Sequence, residues 1–194
     1  MIPVFSPQEA QERETFLALM WALSRPGEPK TFGGMSDLES SRTAASARPS
    51  LESVGKALLD LEASFYTGDE SLRKVFGRLG ARFLGPEAAA YQFYPAVGER
   101  ELVDLHEASV GTLLAPEQSA TVVVACVLEP GLKLALSGPG VRGSSQIQIS
   151  GLPKAFWNLR DQRVLFPLGW DVFLVSAKNE VIGIPRSTKV EVVG

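Results

Sequence analysis

The sequence predicts an α/β domain, a mixed sheet with helices packed on it. Helical spacing of apolar residues dominates the first half of the chain, and apolar, β-branched runs in pairs dominate the second. No internal repeat divides the 194 residues. That length suits one domain over 1–194, with a core that needs neither a disulfide nor a structural metal.

The elements follow in order. Ser6-Pro7-Gln8-Glu9 reads as an N-cap, first-turn proline and returning carboxylate. The helix it opens carries Phe16, Leu19, Met20 and Leu23 on one face and stops at Ser24-Arg25-Pro26-Gly27. Residues 31–48 are polar and small and read as a long loop or a disordered stretch. Pro49 opens a second helix with Leu51, Val54, Leu58 and Leu59, and Ala63–Tyr66 is a short strand. Glu70–Leu79 is a third helix with Leu72, Val75, Phe76 and Leu79 inward. Its Arg73, Lys74 and Arg78, with Arg82 beyond, read as a solvated face before a polyanion site.

Ala88–Pro95 is strand-like, and Glu107–Ala115 is a connector. Thr121–Leu128 reads as a strand buried on both faces, joined through a hairpin at Glu129-Pro130-Gly131 to a strand over Leu132–Ser137. Pro153–Arg160 is a short helix, Asp171–Ser176 and Val181–Ile184 are strands, and Val190–Val193 is a final one.

Composition excludes several function classes. The net charge is −3, which argues against nucleic-acid binding. No stretch approaches the roughly 18–20 apolar residues of a spanning helix, and the first residues lack a signal-peptide pattern, so a cytoplasmic protein off the membrane is expected. One cysteine, Cys126, and one histidine, His106, cannot build a zinc site of Cys and His ligands. Cys126 lies mid-strand and reads as core; His106 reads as a surface or core residue before a catalytic one.

The motif inventory is short. There is no P-loop and no nucleophile elbow. Gly138-Pro139-Gly140-Val141-Arg142-Gly143 matches a dinucleotide-binding pattern in letters, but the alternation after it is extended rather than helical, so it reads as a turn. Arg186, Thr188 and Lys189 form either an anion site, with Arg186 and Thr188 on one side of an extended chain, or a surface turn with a salt bridge. Asp171, after Phe166-Pro167-Leu168-Gly169-Trp170, either caps a turn or faces a cleft, and Glu117 has the same two readings. Trp157, with Phe156, is either a partner contact or core.

Several segments together resemble the PhnH family, the H subunits of bacterial carbon–phosphorus lyase core complexes. They are Leu23-Ser24-Arg25-Pro26-Gly27, Gly111-Thr112 with Ala115-Pro116-Glu117, Leu136-Ser137-Gly138-Pro139-Gly140, Phe166–Asp171, Ile184–Thr188 and Val190–Val192. The resemblance covers nearly the whole chain, with least in 31–48 and 86–105. It implies a three-layer αβα domain with a mixed sheet, similar to the major domain of PLP-dependent transferases but without PLP. It implies a cytoplasmic homodimer that joins the G, I and J subunits in alkylphosphonate use. It implies support for ATP-dependent formation of ribose 1-phosphonate 5-triphosphate, with the iron–sulfur step left to the J subunit.

On this reading no cofactor or metal is expected. One cysteine is too few for a four-iron cluster, and none of the seven lysines, Lys133, Lys154 and Lys178 among them, has a context that marks a Schiff base. No catalytic residue can be assigned. Arg186, Thr188, Lys189, Asp171, Glu117 and Ser137 are the candidates for binding an anion or substrate. Two other functions stay open: a small transferase acting on a phosphorylated or phosphonylated compound, with Glu117 or Asp171 as acid or base, and a separate ligand-binding module.

Overall fold

The computed structural model describes residues 6–33 and 46–193. Most of the polar stretch expected as a loop, residues 34–45, lies outside the described residues. A seven-stranded mixed sheet forms the centre. Its strands are β1 (Lys30–Thr31), β2 (Ser64–Tyr66), β3 (Arg82–Phe83), β4 (Tyr91–Tyr94), β5 (Thr121–Ala125), β8 (Asp171–Val175) and β9 (Glu180–Ile184), in the spatial order β1-β9-β8-β5-β4-β2-β3. From β8 to β3 neighbouring strands are parallel; β9 and β1 complete the sheet antiparallel. A second, three-stranded antiparallel sheet joins β6 (Val127–Ser137), β7 (Ser145–Ser150) and β10 (Lys189–Val193), in the order β10-β6-β7.

Alternation along the central strands sends side chains to two cores. Val123, Phe173, Phe93 and Phe65 face one core with α1 (Pro7–Ser24), α2 (Arg48–Leu58) and α3 (Glu70–Gly77). Val122, Val124, Val172 and Leu174 face the other, with α4 (Glu99–Glu107), α5 (Lys154–Arg163) and the small sheet. The predicted capping box holds α1: Ser6 Oγ accepts from the Glu9 N–H at 3.2 Å, and Glu9 Oε2 accepts from the Ser6 N–H at 2.7 Å.

Several expectations need correction. The buried face of α1 is Thr15, Ala18, Leu19 and Ala22, whereas Phe16 and Met20 are 44% and 52% exposed. The cause is close packing on β9, where a Cβ on Gly183 would lie 2.5 Å from the Ala22 carbonyl carbon. At that point of contact only a small residue such as Ala22 fits, and Phe16 and Met20 turn outward while Leu19 is buried beside it.

The run at 121–128 breaks at Cys126, and no hairpin forms at Glu129-Pro130-Gly131. Instead β6 continues through these residues as a bulge, with Leu128 and Leu132 both opposite Ile149 of β7. Gly131 permits this, because a Cβ there would meet the Ile149 carbonyl oxygen at 2.0 Å. Residues 99–106, given no element from sequence, form with Glu107 the helix α4, which carries His106 in its last turn. Trp157 and Phe156 are core, 4% and 0% exposed.

Candidate functional site

Open α/β sheets bind ligands at the carboxyl ends of parallel strands, where successive crossovers diverge. Here that point lies between β2 and β4. The chain leaves β2 through α3 toward one core and leaves β4 through α4 toward the other. This end of the sheet carries aromatic side chains whose hydroxyls are engaged. Tyr66 donates to Asp104 Oδ2 at 2.8 Å, and Tyr94 donates to Gln92 Oε1 at 2.6 Å. Burial, with the Asp104 hydrogen bond and charge behind it, pushes the Tyr66 hydroxyl up to about 12. Tyr66 also stacks on Phe83, and Arg73 lies over that ring.

The residues singled out from sequence lie at the opposite, amino edge. Asp171 opens β8, and Ile184, which ends β9, pairs with Val172. That register carries the following turn back over Asp171. The Asp171 carboxylate accepts the Arg186 backbone N–H at 2.8 Å, Nε at 3.3 Å and Nη2 at 2.7 Å. Arg186 Nη1 donates to the Pro116 carbonyl at 2.5 Å. All three guanidinium nitrogens therefore have protein acceptors.

Arg186, Thr188 and Lys189 do not converge. Pro185–Thr188 is a turn closed by Thr188 N–H to the Pro185 carbonyl, so strand alternation does not apply. Thr188 is 2% exposed, and its hydroxyl has no partner among the described residues. Lys189 points to solvent and pairs with Glu191 at 2.6 Å. Ser137 stands opposite Lys189 in the β6–β10 ladder. Glu117 is exposed in a 3₁₀ turn over Pro116–Gln118, one residue from the carbonyl that Arg186 holds.

Arg160 escaped the sequence reading. It is 3% exposed and lies beneath the same turn, donating from Nη2 to the Pro185 and Thr188 carbonyls at 2.8 and 3.2 Å. Burial pulls its guanidinium down to about 10, against the opposing charges of Asp171 and Asp161. The signal was its position three residues after Trp157, on the apolar face of α5.

The glycines of the other motifs close the same edge. A Cβ on Gly140 would meet the Ser24 carbonyl oxygen at 2.7 Å, and one on Gly138 would meet the Ser187 carbonyl oxygen at 2.8 Å. The end of α1, the β6–β7 turn and the β9–β10 turn thus meet backbone to backbone.

What this chain leaves unsatisfied is apolar surface. A groove of about 370 Å³ between α4 and α5 is lined by Leu102, Val103, His106, Glu107, Ala155 and Leu159. Beyond it Leu113, Leu114, Leu165 and Phe166 are 76%, 98%, 70% and 71% exposed. Among the described residues, no group of His, Cys, Asp and Glu is placed to hold a metal ion. Cys126 is buried, and its burial pushes the thiol up to about 12.

A provisionally named C-P lyase subunit protein, HtxG, from Stutzerimonas stutzeri is 40% identical over 121 residues, 60% of this chain and 58% of that protein. The chain thus matches a little over half the length of that relative. The model of the bacterial phosphonate metabolism protein family PhnH matches residues 3–191, so the chain belongs to the PhnH family.

Proposed function

We propose that this chain is a non-catalytic or co-catalytic subunit of a carbon–phosphorus lyase complex, required for alkylphosphonate use and supporting ATP-dependent formation of ribose 1-phosphonate 5-triphosphate. The family match over residues 3–191 carries the proposal. The relative named as a C-P lyase subunit agrees with it. So does the engagement of Asp171, Arg186, Tyr66 and Tyr94 with protein partners, which suits a scaffold better than a reaction centre.

The reading includes a homodimer that joins G, I and J subunits in the cytoplasm. It takes 1–194 as one domain, a view supported by two cores that share one sheet. It takes the fold as the outline of a PLP-transferase major domain that binds no PLP, which the run of parallel strands from β8 to β3 supports. Among the described residues no helix is long and apolar enough to cross a membrane.

The test is co-expression with the G, I and J subunits of the same organism and purification through a tag on I. Stoichiometric recovery of this chain, with loss of phosphonate-dependent growth when it is deleted, is the expected result. Failure to recover it from subunits shown to be folded overturns the proposal.

A further inference from the structure

The central sheet ends at β1, which pairs with β9 and with no other described strand. The Phe32 N–H donates to the carbonyl of Asn179, the residue directly opposite, at 2.9 Å. Partners in an antiparallel ladder alternate between hydrogen-bonded and unbonded pairs, so the neighbouring pair, Thr31 and Glu180, is unbonded. Glu180 agrees with this parity, because its carbonyl turns to β8 and accepts the Ser176 N–H at 2.9 Å. The N–H and C=O of Thr31 therefore point away from the sheet, at an exposed edge. A donor and an acceptor side by side on one residue are what an added strand matches.

Helix α1 runs beside this edge. A groove of about 460 Å³ between them is lined by Glu14, Leu17, Ala18 and Trp21 of α1 and by residues 30–33. The four helix residues fall at i, i+3, i+4 and i+7, one stripe about 10 Å long over two turns. Lys30 Nζ lies 5.2 Å from the Trp21 ring centroid, which places that cation at the Trp21 end of the stripe. Glu14 stands at the other end, and Leu17 and Ala18 lie between. Among the described residues neither Lys30 nor Glu14 has an ion pair.

Backbone and charge together specify the occupant. A helix satisfies its own backbone groups and would leave Thr31 unmatched, so the occupant is extended. Alternate residues of an extended chain share a face, and five of them span about 13 Å, close to the length of the stripe. A second copy of β1 does not fit the charges. Paired with itself about Thr31, it sets Lys30 opposite Phe32 rather than a carboxylate.

We propose that the α1–β1 groove takes an extended segment of another subunit of the complex as an added strand. On alternate residues that segment carries a Lys or Arg facing Glu14, an apolar side chain on Leu17 and Ala18, and an Asp or Glu facing Lys30. This rests on the reading of the chain as a complex subunit.

The test is co-purification through tagged I with Thr31→Pro, Thr31→Val, Leu17→Asp and Lys30→Glu, beside Val103→Asp on α4. Proline removes the outward N–H, which does not serve β9, whereas valine keeps it. Thr31, Leu17 and Lys30 are exposed, so circular dichroism and melting temperature serve to confirm that each variant folds. The expected result is recovery reduced about tenfold or more by Thr31→Pro and Leu17→Asp, reduced less by Lys30→Glu, and unchanged by Thr31→Val and Val103→Asp. A second readout is Leu17→Cys carrying a cysteine-directed photo-crosslinker, which spares the buried Cys126. Mass spectrometry should place the crosslink in another subunit, beside an apolar residue with an Asp or Glu two positions away.

Wild-type recovery with undiminished Thr31→Pro and Leu17→Asp overturns the groove while leaving the subunit reading intact. A wild-type chain that is itself not recovered overturns both. Equal losses in Thr31→Val and Thr31→Pro overturn the backbone pairing. A crosslink within this chain, to a second copy of it or to a helix of another subunit overturns the proposed occupant.

Discussion

Removing the Asp171 carboxylate tests whether the motif residues hold the fold or hold a ligand. The Asp171 and Arg186 side chains are 20% and 17% exposed, so their ion pair lies much nearer the buried than the surface limit. Exposed pairs contribute about 0–1 kcal/mol, and removing one partner of a fully buried pair costs about 3–5 kcal/mol. Arg186→Ala is therefore expected to cost about 2 kcal/mol. Asp171→Ala should cost about 3 kcal/mol, because it also strands the Arg186 backbone N–H and removes an opposing charge that favours buried Arg160. The double variant should cost about 3 kcal/mol rather than the sum, a coupling of about 2 kcal/mol. Urea unfolding followed by fluorescence of the buried Trp157 and Trp170 measures all three. For a chain of this size, melting should fall by about 4–12 °C in each single variant. An anion site predicts the reverse pattern, with stability held and phosphonate use lost. Single costs below about 0.5 kcal/mol, or additive ones, would refute the clamp.

Gly183→Ala should destabilise by more than about 2 kcal/mol, because its Cβ meets the Ala22 backbone, which cannot give way; an unchanged urea midpoint contradicts this packing. Gly55→Ala places a Cβ 2.1 Å from Phe76 Cε1, and a net loss of about 1–3 kcal/mol should outweigh the better helix propensity of alanine; a stabilised variant counts against it. Cys126 should resist a thiol reagent at pH 8 in the folded chain and react at the rate of unfolding; fast labelling contradicts its burial. Burial raises the folded Cys126 thiol from 9.0 to about 12, and Tyr66 from 10.0 to about 12. Above about pH 9 the unfolded chain then loses protons that the native chain keeps, so stability should fall steadily as pH rises; a flat urea midpoint from pH 8 to 11 contradicts it.

The central strands were legible because Thr121–Ala125 and Asp171–Val175 are buried on both faces and therefore nearly continuous in apolar residues. Helix α4 was not, because only Leu105 of its nine residues is buried. The Pro130-Gly131 pair was read as a turn, although a glycine serves equally where two strands crowd at a bulge. The inward face of α1 was misread because close contact with β9 selects small residues, and hydrophobic spacing weighs large ones most. Asp171 and Arg186 were each visible as chemistry. Their pairing depends on strand register, which the spacing of residues does not carry. Thr188 and Lys189 are neighbours in sequence, yet one is buried and the other faces solvent.

The position of β9 bears on how the chain is made. It lies between β8 and β1, and α1 packs its small-residue face against it. During synthesis the first helix therefore leaves the ribosome some 160 residues before its platform exists. Contacts of such long range slow folding and leave the early segments exposed to aggregation. A nascent chain stopped before residue 180 should remain protease-sensitive throughout its amino-terminal half, and its completion should protect both ends at once.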